Sequence, residues 1–170
     1  MKAYKQSTYE TCLAVSLLYL AGIVPNRKKE IEIWQKGWNF NFLEGQLNAV
    51  SDQYSISLNV FINSKMYSNY IASYVRPNIH IFHQKIDSNF IFNLAKENPI
   101  IVYLDNYFLQ KKLHAPHFVV LLGTTAKSVK IFDPWDGKKK LISQNTLKKS
   151  IQSLQTYLQF SPVVIQRINF

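Results

Sequence analysis

Cysteine is nearly absent from this sequence: one residue, Cys12, in 170. One thiol cannot close an internal disulfide, which excludes a disulfide-framed secreted scaffold. Zinc sites built from several thiolates are excluded with it. Acidic residues are also few, 10 against 20 lysines and arginines, for a formal charge of +10. Only 18% of residues are charged, too few for the ion-pair networks of a hyperthermophile surface. Glycine numbers 5, and no glycine/serine linker or repeat divides the chain. No apolar run is long enough for a bilayer: the stretch from Leu13 to Val24 covers about a dozen residues where roughly 20 are needed. The start, Met1-Lys2-Ala3-Tyr4-Lys5-Gln6, is polar, so no secretory signal is expected and a cytoplasmic location is.

What is present is the composition of a globular protein. Apolar residues make up 47%, which disfavours a disordered chain. A chain of this length buries roughly 70% of the surface its unfolded form exposes, enough for a core without staples. One domain over residues 1–170 is expected. The basic residues are scattered, apart from Arg27-Lys28-Lys29, Lys138-Lys139-Lys140 and Lys148-Lys149. They read as a solvated face. Nucleic acid or an anionic surface is open on charge alone but not favoured.

Periodicity places helices in the first third. Thr8 and Thr11 are candidate N-caps for a helix carrying Leu13, Leu17, Leu18, Leu20 and Ala21, with Gly22 as its stop. Further helices are predicted over Asn26–Gln35 and Phe40–Asp52, a strand over Ser57–Ile62, a helix over Lys65–Tyr74 and a strand over Ile79–Phe82. Asp87-Ser88 caps a helix running through Glu97. The pattern then turns to strands: Pro99–Leu104, Phe118–Leu122, and Ser128–Phe132 closed by the turn Asp133-Pro134-Trp135-Asp136-Gly137. Lys140–Ile142 completes a hairpin, Ser143–Leu154 is a helix and Val163–Ile168 the last strand. Helices first and antiparallel strands second is the order of an α+β domain. Trp34, Trp38 and Trp135 could line a cleft, with buried packing the favoured role for each.

Four residues form a set that can carry chemistry. Cys12 falls in the first turn of the apolar helix, where unpaired N–H groups and the helix dipole favour a thiolate. Taken alone, a cysteine beside Leu13, Ala14 and Val15 is an ordinary small core residue. Gln6, six residues earlier, could donate beside the Cys12 backbone N–H to form a two-donor oxyanion hole. His117 opens an apolar strand and can face a cleft as a base toward the thiol. Asp133 ends the next strand, where it can orient the imidazole; the competing assignment is turn chemistry, which Asp136 and Gly137 fit better. His114, three residues before His117, is expected to be dispensable. A metal site on His114-Ala115-Pro116-His117 is disfavoured because Pro116 breaks the helix that would present such a pair. No cofactor is required. A catalytic set demands that Cys12 and His117 face each other within roughly 3–4.5 Å, with Asp133 on the other imidazole nitrogen.

At these residues the chain resembles the papain-like cysteine peptidases. The match runs from Gln6 to Cys12 and the apolar helix, through His117-Phe118-Val119-Val120-Leu121-Leu122-Gly123, to Phe132-Asp133-Pro134 with Gly137. The nearest group is the bacteriocin-processing family, which cuts after double-glycine leaders, with its stand-alone relatives. That family often has glycine directly after the cysteine, where this chain has Leu13. The resemblance implies a papain-like fold in which the cysteine helix packs on a C-terminal antiparallel sheet. It implies Cys12 as nucleophile, His117 as general base, Asp133 as orienter, Gln6 as oxyanion donor, and a peptide or protein as substrate. The alternatives are a catalytically idle module of the same fold, or a basic domain that binds a peptide or nucleic acid.

Overall fold

The computed structural model describes residues 4–38 and 42–168. The predicted start of the third helix at Phe40 lies outside the described residues, as do Met1, Lys2 and Ala3. In chain order the elements are α1 (Cys12–Leu20), α2 (Arg27–Trp38), α3 (Phe42–Tyr54), β1 (Ser57–Ile62), α4 (Lys65–Ala72), β2 (Ile79–His83) and α5 (Ser88–Leu94). They continue with β3 (Ile100–Asp105), α6 (Tyr107–Gln110), β4 (Pro116–Thr124), β5 (Ser128–Asp133), β6 (Lys138–Ser143), α7 (Gln144–Thr156) and β7 (Val163–Ile168).

The strands form one sheet in the order β2-β1-β7-β3-β4-β5-β6. From β3 to β6 it is an antiparallel meander, the expected C-terminal half. Two features differ from the expectation. First, β1 and β2 belong to the same sheet, and β2 runs parallel to β1. Parallel neighbours need a crossover, and α4 supplies it. Second, β7 enters between β1 and β3, antiparallel to both, and so joins the early strands to the meander.

Helices cover both faces because both faces alternate into apolar side chains. Phe118 and Val120 of β4 meet α1 and its neighbours, whereas Val119 and Leu121 face α5 and α7. Along α1 every residue but the half-buried Tyr19 is buried. A helix apolar on all sides belongs inside a core, and this one lies against β4, with Ser16 donating to the Phe118 carbonyl at 3.5 Å. Truncating Leu17, which is fully buried, would cost about 2–5 kcal/mol. The inner position of α1 sets Cys12, its first residue, at the end of the sheet where β4 begins and β5 finishes.

Candidate active site

Strand pairing brings the histidine and the aspartate together. Val120 pairs with Phe132. Continuing that register sets Asp133 opposite Val119, and two residues along the strand, on the same side, stands His117. Their side chains meet, with His117 Nε2 2.8 Å from Asp133 Oδ1. Cys12 acts on the same imidazole, its thiol and its charge both favouring the protonated ring. All three are enclosed: Cys12 is 6% exposed, His117 2% and Asp133 not at all.

Burial alone would discharge the His117 ring, but hydrogen bonds to Asp133 and Cys12, with their charges, outweigh it and push its pKa up to about 9. Burial likewise opposes the Asp133 carboxylate; bonds to His117 and Lys140 overcome it and hold the group below the usual carboxylate range. The N-cap of α1 leaves its first turn open. Thr11 donates its hydroxyl to the Thr8 carbonyl and makes no side-chain cap bond, and the turn holds no acidic residue.

The segment before Cys12 is clamped from two sides. Gln6 N–H donates to the Pro134 carbonyl at 2.8 Å, tying it to the turn after Asp133. The buried Glu30 of α2 accepts from Ser7 N–H at 2.7 Å and from the Tyr4 hydroxyl at 2.5 Å. Gly137 makes the approach possible. Its φ is +70°, and a Cβ there would stand 2.7 Å from the Lys5 nitrogen.

Gln6 itself is buried, but its amide turns into its own loop. Nε2 donates to the carbonyls of Thr8 at 2.7 Å and Tyr9 at 3.2 Å. Its Oε1 is buried and finds no partner among the described residues. A cleft of about 230 Å³ opens alongside, lined by Lys5, Gln6, Ser7, Thr8, Tyr9 and Trp135. Trp135 is half-buried and lines this cleft, and Trp38 is exposed, so the packing role expected of both is corrected. The Trp135 ring stands edge-on to Tyr9 at 4.5 Å and to His117 at 6.0 Å.

His114 does not join this group. Its Nδ1 is 2.6 Å from Asp105 Oδ2, at the end of β3. The described residues hold no cluster of three or more His, Cys, Asp or Glu suited to a metal ion, and no helix among them is long and apolar enough to cross a membrane. Sequence reasoning missed Glu30, Gln110 and Lys140. Glu30 did leave a signal, since it shares the buried face of α2 with Ile33 and Gly37.

No protein-family model matches the sequence, and no curated protein sequence does. Among solved structures the chain is similar to a candidate C39-like peptidase from Bacillus anthracis, with a TM-score of 0.51 and 12% identity. The match covers 98% of this chain and 94% of that one. At this identity the likeness is one of fold. The protein has a papain-like α+β architecture, a seven-stranded sheet packed against helices.

Proposed function

We propose that the protein is a cysteine peptidase or related amide hydrolase, acting as a single papain-like domain. The supporting observation is the buried row of Cys12, His117 and Asp133 at the first turn of α1. In this reading the thiol proton passes to His117 and the Cys12 sulfur attacks an amide carbonyl of a peptide. The resulting oxyanion is met by the Cys12 backbone N–H and the Gln6 amide. The imidazolium gives its proton to the leaving amine, which departs as the thioester forms. Water, deprotonated by His117, then releases the acid and restores the thiol. Asp133 keeps the imidazole oriented and stabilises its charged form. No cofactor takes part.

Gln6 must change partners for this role, because both of its donor bonds now go to carbonyls of its own loop. The 3.2 Å bond to Tyr9 is the weaker one to exchange for an oxyanion. The unpaired Oε1 also favours such a move, since a buried acceptor without a donor costs about 1–3 kcal/mol.

Alkylation of Cys12 by iodoacetamide at graded pH tests the proposal. An ordinary thiol with a pKa near 8.5 is almost wholly protonated at pH 6. The expected result is a rate at pH 6 at least about 10-fold above that of a small free thiol, lost in Cys12→Ser. A rate no greater than the free thiol's would leave the protein an idle module of this fold.

A further inference from the structure

Asp133 is held by more than His117. Oδ1 accepts from His117 Nε2 at 2.8 Å and from Trp135 N–H at 3.0 Å. Oδ2 accepts from Gln110 Nε2 at 2.8 Å and from Lys140 Nζ at 2.6 Å. A carboxylate has about four lone-pair sites, and four donors take them. Lys140 also reaches Asp136 Oδ2 at 2.8 Å, so its ammonium sits between two carboxylates with only 23% of its side chain exposed.

We propose that Lys140 is a positioning residue of this site: its ammonium fixes the carboxylate plane that aims Asp133 Oδ1 at His117, and its charge offsets that of the carboxylate holding the ring. The catalytic consequence rests on the thiol mechanism above, while the effect on His117 rests on the hydrogen bonds alone. Gln110 by itself would leave Oδ2 with one neutral donor and the carboxylate freer to turn. Electrostatics adds a second role. With Lys140 present, the cluster of Asp133, Asp136 and Lys140 carries a net charge of −1; without it, −2. An imidazolium held by an uncompensated Asp133 carboxylate would form readily but give its proton to a leaving amine reluctantly. Lys140 keeps the ring a usable acid.

Cys12 of α1 and Asp133 of β5 act on the His117 ring directly, while Lys140 of β6 and Asp136 of the turn between those strands are linked to it through Asp133. Tyr103 of β3 feels the charge of Cys12, but burial first, and that charge second, hold its hydroxyl protonated.

The test is the titration midpoint of the His117 imidazole, followed by NMR in the parent, Lys140→Met, Lys140→Arg and Asp136→Asn proteins. Removing a cation close to the ring should raise the midpoint in Lys140→Met by about half to one pH unit. Lys140→Arg should restore the parent value, and Asp136→Asn should lower it by a smaller amount. A merely structural lysine would shift none of these midpoints. If Lys140→Met does not fold, Lys140→Gln, which keeps a donor for Asp133 without the charge, carries the same expectation. A midpoint in the folded variant equal to the parent's, or below it, overturns the proposal. Iodoacetamide kinetics run on the same samples keep the two ideas apart. Slow alkylation of the parent at pH 6 would defeat the hydrolase reading, while the NMR midpoints would still decide the role of Lys140.

Discussion

His117 and His114 stand three residues apart, and each meets an aspartate with no exposed surface. His117 uses Nε2 toward Asp133, and its side chain is 3% exposed. His114 uses Nδ1 toward Asp105 and is 31% exposed, stacked against Tyr107 at 4.2 Å and tilted against Tyr157 at 4.3 Å. The shorter contact is the one at His114, 2.6 Å against 2.8 Å. Asp105 spends its other capacity on structure. It accepts from Tyr107 N–H, Ala115 N–H and the Ser153 hydroxyl, and thereby ties α6, the loop after it and α7 together. Ser153 bonds the carboxylate and not the ring, the wrong order for a nucleophile in a triad. A tight His–Asp pair therefore does not by itself mark a catalytic site.

The largest expected effect separates the two pairs by reactivity. His117→Ala should lower the pH 6 alkylation rate of Cys12 by about 10²–10³-fold, and His114→Ala should leave it within about twofold of the parent. Collapse of reactivity in His114→Ala alone would reverse the assignment. Next comes the oxyanion side. Gln6→Ala should slow turnover of a peptide substrate by about 10²–10³-fold while alkylation stays near the parent rate, because a neutral amide supports the transition state and not the thiolate. Parent-rate turnover, with folding checked by circular dichroism, would remove Gln6 from the site.

The structural pair should show itself in stability. Asp105→Ala strands buried donors from three segments and should cost about 2–4 kcal/mol in urea unfolding. A loss below about 1 kcal/mol would mean that the loop holds without this anchor. The last effect is a pH dependence. His117 titrates at about 9 in the folded protein against about 6.5 unfolded, burial opposing the shift and the bonds to Asp133 and Cys12 producing it. A raised folded pKa stabilises fully below about 6.5 and is lost as pH rises through about 9. Unfolding free energy should thus fall by on the order of 3 kcal/mol across that window. The fall should persist in His114→Ala and flatten in His117→Ala.

Much of this was legible in the chain. The apolar run behind Cys12 marked a buried helix, and the β-branched runs from Pro99 onward marked the meander. Four-residue α6 is too short for any periodicity to reveal, yet it delivers Gln110 to Asp133. The parallel pairing of β1 with β2 had no local signature either, because both strands alternate in the same way whichever neighbour they meet. Lys138, Lys139 and Lys140 look equivalent in sequence, and strand alternation distinguishes only odd from even.

Local patterning, by itself, determined that this chain makes an apolar helix opening on its one cysteine, followed by strands that begin with a histidine and end with an aspartate. Such features depend on side-chain period and on residues a few positions apart, and short-range sterics and burial set them. The tertiary structure alone decided which lysine shares Asp133 and that Gln6 rests on its own loop. Those outcomes depend on strand register and on distances of a few ångströms between residues far apart in the chain, where a shift of one residue in pairing would send each side chain to the opposite face.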